Sequence, residues 1–217
     1  MIFDVVFVIL LGYLLGSVPF GLIIGKLVRG IDIRKYGSGN IGFTNVLRNV
    51  GVTAGAATLI CDISKGAIPT LLAATIVGDN TAELGSITFD DQSAQVVAAV
   101  AAVIGHNWSV YLKFQGGKGV DTSLGGLLAM SPLIGVACLV LGVAVIAITR
   151  YVSLGSMIGG CSGVVILAPL VATDHEPVEY LVYAIIVAGL ILLRHRDNIS
   201  NLRTGTERKI GQKGEKR

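Results

Sequence analysis

The sequence predicts an all-α, polytopic membrane protein with about seven transmembrane helices, some short or broken, an external N-terminus and a cytoplasmic C-terminus. Three observations carry this. The 217 residues are 53% hydrophobic and only 14% charged, where an ordinary globular domain is about a quarter charged. Mean hydropathy is +0.75, and the loops between apolar runs alternate between basic and acidic along the chain. The 29 glycines suit helices that approach backbone to backbone in lipid. A single integral-membrane domain over 1–205 is expected, followed by a basic cytoplasmic tail, 206–217.

The first span should run from Ile2 to Gly25. It lacks a basic start and an A-x-A cleavage site, so it reads as a retained span and not as a signal peptide. Gly16-Ser17-Val18-Pro19 should kink or break it, because Pro19 donates no hydrogen bond and clashes with the preceding turn. Lys26, Arg29, Arg34, Lys35 and Arg48 follow with only Asp32 against them, which makes this region cytoplasmic. Val52 to Val77 forms the second span, interrupted at Asp62-Ile63-Ser64-Lys65-Gly66. An acid and a base three apart share a helical face and can neutralise each other, yet charges at that depth usually mark function. Gly78 to Gln92, with Asp79, Glu83, Asp90 and Asp91 and no Lys or Arg, reads as external. Ser93 to Ile104 or slightly beyond returns inward, to His106, Lys113 and Lys118, with Trp108 and Tyr111 as interface anchors.

The acidic loop Thr173 to Glu179 should again be external, so an odd number of crossings separates it from Lys118. With Pro132 as a divider these are Val120 to Met130, Leu133 to Thr149 and Leu154 to Ala172, which returns Arg150, Tyr151 and Ser153 to the cytoplasm. One crossing plus a re-entrant piece, giving about five spans in all, is the alternative. Val178 to Leu193 then runs inward to a basic tail. After Gly205 that tail suits an anionic leaflet, and disorder is its default.

Polar groups capable of chemistry gather in three clusters, all on the predicted cytoplasmic face. The first is GSGNIGFTNVLRNVG, Gly37 to Gly51. Its glycines let backbone N–H groups converge into an anion nest, Ser38, Thr44 and Asn45 add side-chain donors, and Arg48 adds a planar fork suited to phosphate. A glycine-rich turn leading to a helix capped by Thr44 or Asn45 is the plainer reading. The second runs from Gly105-His106-Asn107 to Gln115-Gly116-Gly117-Lys118-Gly119-Val120-Asp121-Thr122, with a lysine and backbone N–H groups at the start of a helix. It is not a nucleotide-binding Walker loop, because Leu112 stands where the first glycine belongs and Gly119 replaces Ser or Thr. The third, His195-Arg196-Asp197-Asn198-Ile199-Ser200-Asn201, puts His195 and Asn198 on one helical face. His106 reads as a loop organiser and His175 as surface. Cys61, Cys138 and Cys161 lack metal spacing and read as small core residues, with neither disulfide nor zinc expected.

In this order the three blocks resemble those of the bacterial acyl-phosphate-dependent glycerol-3-phosphate acyltransferases of the inner membrane. That family carries GSGN-x-G-x-TN-x-x-R, GH…FxGGKGV-x-T and H-x-x-N-I-x-R/N-L-x-x-G motifs. They stand here as Gly37–Arg48, Gly105–Thr122 and His195–Gly205, with Ser17-Val18-Pro19, the Asp62–Gly66 stretch and Arg150–Ser153 also similar. Ser109, Gln115 and Asp121 depart from the usual proline, lysine and small residue. The resemblance implies transfer of a fatty acyl group from acyl phosphate to the 1-hydroxyl of glycerol-3-phosphate, giving lysophosphatidic acid and phosphate. On that reading Ser38, Arg48, Lys118, His195 and Asn198 are catalytic. Gly39, Asn40, Gly42, Thr44, Asn45, Gly116, Gly117, Gly119, Ser153 and Lys65 bind substrate. Ser38, Gly39, Asn40, Thr44, Arg48 and Lys118 would hold the acyl phosphate, while Asn45, Ser153, His195 and Asn198 would place glycerol-3-phosphate. His195 could be the general base, a positioning group or an interface residue, and the substrate's own phosphate could serve as base.

No metal, cofactor or nucleic-acid partner is expected. The partners are the two substrates and membrane lipid, with a monomeric state and a functional contact to an enzyme that produces acyl phosphate. The H-x-x-x-x-D pair of the other large class of glycerolipid acyltransferases is missing, since Tyr111 and Ser200 stand five residues after His106 and His195. A carboxylate series for Mg²⁺, as in phosphatidyl-group transferases, is missing too. A small anion transporter built on broken helices is the competing class; the gathering of donors on one face argues against it.

Overall fold

The computed structural model describes residues 2–78, 81–84 and 87–212. In chain order it comprises α1 (Ile2–Ser17), α2 (Phe20–Arg29), α3 (Phe43–Asn49), α4 (Val52–Val77), β1 (Ala82–Leu84), β2 (Ile87–Phe89), α5 (Asp91–Asn107), α6 (Val120–Met130), α7 (Pro132–Thr149), α8 (Val152–Ala172), α9 (Val178–Arg194) and α10 (Arg196–Arg203).

All seven segments expected from the sequence are helical. Length and composition support five spans among the described residues, counting Ile2–Arg29 with its break as one, or six if α9 and α10, bent by 61°, form one span. At 11 residues, α6 is only about 16 Å long, roughly half of the ~30 Å hydrocarbon core. The chain is thus a helical membrane protein with five or six candidate spans.

The break at Val18-Pro19 falls where proline chemistry puts it. The second span, by contrast, is not interrupted: α4 runs unbroken through Asp62–Gly66 and also contains Pro69. The two charges of the pair face each other on one side of the unbroken helix. Lys65 Nζ lies 2.8 Å from Asp62 Oδ1, donates to the Val18 carbonyl at 2.9 Å and sits 5.7 Å from the Phe20 ring centre. The buried lysine therefore serves a carbonyl at the break in the neighbouring helix.

The loop between α4 and α5 contains a short antiparallel hairpin, pairing Ala82 with Phe89 and Glu83 with Thr88. Thr88 and Phe89 are residue types that favour strands. Asp79, counted toward this loop's acidity, lies outside the described residues, as does the tail beyond Gln212. Asp90 starts α5 by accepting from the Ser93 N–H at 2.9 Å.

Small residues set the helix spacing. Gly16 of α1 sits against the Ala102 backbone of α5, and Gly66 of α4 and Gly125 of α6 face each other's backbones so closely that a Cβ at either would strike a carbonyl. A core of Val103, Leu127, Met130, Ile134, Leu167, Tyr183 and Ile191 joins α5 through α9. The helix directions bring the loop before α3, the loop before α6, Arg150–Ser153 and α10 to one end of the bundle. The hairpin and residues 173–177 lie at the other, where Ser131 Oγ donates to Glu176 at 2.7 Å and Tyr180 of α9 donates to Gln95 of α5 at 2.8 Å.

Candidate active site

The loop before α3 is folded around Asn45. Its amide Nδ2 donates to the carbonyls of Ile33, Tyr36 and Asn40, and its Oδ1 accepts from the Ser38 N–H and from Asn49 Nδ2. Gly37 and Gly39 have φ of 55° and 74°, left-handed values that favour glycine, and a Cβ at Gly37 would fall on the Asn45 amide. Gly42, and not Thr44 or Asn45, takes the N-cap of α3. Asn45, expected to place a substrate, is instead committed to holding this loop.

The anion nest expected from the glycines is also revised. Gly39 N–H donates to Tyr36 O, Asn40 and Gly42 donate to side-chain oxygens of the same loop, and Ser38 donates to Asn45 Oδ1 on α3. In the second block Gly116 and Gly117 donate to the carbonyls of Asn107 and His106. Arg194 clamps the other side of that loop, with Nε to Gly117 O at 2.9 Å and Nη2 to Gly116 O at 3.2 Å, its guanidinium 5.5 Å from the Trp108 ring centre. Glycine is needed here because a Cβ on Gly117 would collide with the His106 ring. These backbone groups hold the loops in place, and side chains are left to meet a ligand.

Those side chains converge. A cavity of about 690 Å³ is lined by Ser38, Asn40, Gly42, Thr44, Asn45, Arg48, Lys118, Gly119, Ser153, His195 and Asn198. Gly39, Gly116, Gly117 and Lys65 are not among its lining residues. Lys65 is 4% exposed and spent on Asp62 and Val18, so its place in the predicted substrate-binding set is not supported by its position.

Lys118 Nζ bonds Asn198 Oδ1. Asn198 Nδ2 donates to Glu207 Oε1 at 2.7 Å, and Ser153 Oγ donates to the same oxygen at 2.5 Å. Glu207 thus ties the second block, the start of α8 and α10 into one chain of polar contacts. Past Gly205 the chain continues across the site: Arg48 donates to Lys209 O at 3.3 Å, Ile210 N–H to Arg150 O at 2.8 Å, and Lys209 Nζ lies 5.3 Å from the Tyr151 ring centre. Sequence reading missed Glu207 and Arg194. The signal for Glu207 was one of only two carboxylates in a basic tail; Arg194 carried none beyond its closeness to His195.

The charges suit an anion. Burial, opposed by Glu207, draws the Lys118 ammonium below its ordinary pKa, and burial together with nearby Arg208 does the same to Arg48. Arg48 Nε is buried without a hydrogen-bond partner, an orphaned donor that a phosphate oxygen would satisfy. His195 is 3% exposed, and burial, then Lys118, pushes it down to about 4. Its Nδ1 contacts the Ile191 carbonyl at 2.8 Å. A carbonyl only accepts, so the proton sits on Nδ1 and Nε2 of the neutral ring is an acceptor.

Beyond this polar end the same cavity continues between helices as an apolar cleft, past Leu59, Ile63, Leu139, Val143 and Ile146. A helical membrane protein with cationic and amide side chains at one end of such a cleft has the site of an integral-membrane enzyme acting on phosphorylated, lipid-like molecules. The chain belongs to the glycerol-3-phosphate acyltransferase family, whose profile, described as Glycerol-3-phosphate acyltransferase, matches residues 6–205. It is 42% identical over 218 residues to a glycerol-3-phosphate acyltransferase of Clostridioides difficile, covering 99% of each chain. To that of Halalkalibacterium halodurans it is 42% identical over 203 residues, 94% of each. It is also similar to crystal structures of PlsY (YgiH), an integral membrane glycerol 3-phosphate acyltransferase. The glycerol 3-phosphate form gives a TM-score of 0.83 at 36% identity over 95% of this chain and 96% of that one. The lysphosphatidic acid form gives 0.81 at 36% identity over 95% of both.

Proposed function

We propose that this chain is a membrane acyltransferase that moves a fatty acyl group from acyl phosphate to the 1-hydroxyl of glycerol-3-phosphate. The observation that carries the reading is the meeting of Ser38, Arg48, Lys118, His195 and Asn198, from three sequence blocks, on one cavity with an apolar extension. Two substrates that each carry a phosphate need two anion sites side by side, and cationic side chains from separate blocks supply them.

The hydroxyl oxygen attacks the acyl carbon, and the bond from that carbon to the phosphate oxygen breaks. The hydroxyl proton leaves with the released phosphate or passes to Nε2 of His195. Phosphate is already a good leaving group, so placement and charge stabilisation carry most of the work. Ser38, Thr44, Arg48 and Lys118 stabilise charge gathering on the acyl phosphate. Ser153, His195 and Asn198 place the glycerol-3-phosphate. Asn45, Gly39, Gly116 and Gly117 shape the two loops, and Lys65 secures the helix break. The enzyme is read as a monomer of the bacterial inner membrane, crossing about seven times. Its site is cytoplasmic because the basic loops gather there. Residues 206–212 act as part of the site.

Purified protein given palmitoyl phosphate and glycerol-3-phosphate should release inorganic phosphate only when both are present. Absence of release, together with anion uptake into proteoliposomes, would instead support a transporter.

A further inference from the structure

We infer that the outer end of the apolar cleft is a ruler that sets acyl-chain length, with its floor at Leu127, Cys138, Gly163 and Tyr183. This rests on the acyl-transfer reading above. Each of these residues is the outermost lining position on its own helix, α6, α7, α8 and α9. One turn further out each helix places a large buried side chain: Met130, Ile134, Leu167 and Tyr180, which are 9%, 3%, 0% and 8% exposed. All four belong to the same core cluster, and Tyr180 is held by Gln95 at 2.8 Å. The cleft is therefore stoppered and does not run through the bundle.

Its depth follows from the helices. Ser153 to Gly163 on α8 spans roughly 15 Å, and His195 back to Tyr183 on α9 roughly 18 Å, at about 1.5 Å per residue. About 15 Å is one leaflet's share of the ~30 Å hydrocarbon core. Carbon–carbon bonds about 1.5 Å long advance a zigzag chain roughly 1.25 Å per bond, so the cleft accepts a saturated chain of about 13 to 15 carbons. Gly163 sets the limit most directly. A Cβ there would sit 3.6 Å from Ala184 Cβ, 3.7 Å from Cys138 Sγ and 3.8 Å from Leu127 Cδ2. A methyl is thus accommodated, and a longer side chain must project into the space the chain end would occupy.

The test measures kcat/KM for acyl phosphates of 8 to 18 carbons. The ratio of palmitoyl to decanoyl phosphate should fall at least about tenfold in Gly163→Leu, the loss of two or more buried methylenes. The same ratio cancels any general loss of activity. In Leu167→Ala the optimum should move to longer chains. An unchanged ratio in both variants would overturn the ruler. A readout independent of turnover uses Cys138 as the only remaining thiol, in a Cys61→Ala, Cys161→Ala background. Palmitoyl phosphate should slow its alkylation at least about tenfold while octanoyl phosphate leaves it reactive, and equal rates with both would overturn the proposal. If the protein turned over none of the acyl phosphates, the acyl-transfer reading would fail, and Cys138 protection would still decide whether the cleft measures chain length.

Discussion

Replacing Lys65 by methionine keeps the volume of the side chain and removes its charge, which separates two accounts of this residue. The side chains of Lys65 and Asp62 are 3% and 2% exposed and 2.8 Å apart, and the ammonium also serves the Val18 carbonyl. Removing one member of a buried ion pair typically costs about 3–5 kcal/mol, because the other charge is left uncompensated. For a chain of this size each kcal/mol moves Tm by about 2–4 °C, so Lys65→Met should lower Tm by roughly 6–20 °C. The assay is thermal unfolding in detergent, followed by exposure of the three cysteines to a thiol-reactive dye. Adding Asp62→Leu to Lys65→Met should recover most of the loss, since the stranded carboxylate is then gone. A Tm change under about 3 °C, accompanied by a raised KM for either substrate, would return Lys65 to the substrate-binding set. A double variant less stable than the single one would refute the ion-pair role as well.

Arg194→Lys loses the fork that bonds both Gly116 and Gly117 carbonyls, and KM for the phosphorylated substrates should rise about tenfold, the worth of one charge-assisted bond. Gly117→Ala drives a methyl into the His106 ring. It should cut kcat/KM by at least about a hundredfold unless the loop moves, the scale that a small misplacement of a catalytic group costs; near-normal activity would show that the loop geometry is not needed. His195→Ala should raise KM for glycerol-3-phosphate with kcat nearly intact if the ring positions substrate, whereas a fall in kcat alone would make it the base. Because His195 is pushed down to about 4, the native ring stays neutral where an unfolded histidine, at about 6.5, becomes charged. Its contribution to stability is therefore complete above about pH 6.5 and is lost as pH falls from there toward 4. Activity should show no His195 titration between about pH 6 and 8, and a His195-dependent inflection near 6.5 would contradict the neutral ring.

The helices were legible because membrane spans are written in long apolar runs and their breaks in proline, as at Pro19 and Pro132. The site blocks were legible because glycine, amide and cationic residues are costly at a membrane face unless used. What the sequence concealed was how the backbone donors are spent. A glycine-rich run reads as an anion nest, but the N–H groups of Ser38, Gly39, Asn40, Gly42, Gly116 and Gly117 are already bonded to oxygens of Asn45, Tyr36, Ser38, Asn40, Asn107 and His106. The Asp62–Lys65 pair looked like a break in a helix because spacing cannot reveal a partner such as the Val18 carbonyl, many residues away in the chain. Glu207 lay in a stretch whose composition reads as a solvated tail, and only its contacts with Ser153 and Asn198 give it a place in the site.

If blocks remote in sequence act as one site, Lys118 and Asn198 depend on each other, and a kinetic double-mutant cycle on the pair measures that dependence. Their side chains are bonded to each other, so Lys118→Met and Asn198→Ala should each lower kcat/KM with palmitoyl phosphate and glycerol-3-phosphate. The double variant should be little worse than the more damaged single, a coupling of about 1 kcal/mol or more. Losses that multiply independently would mean that the two residues do not act together and that the blocks do not form one site.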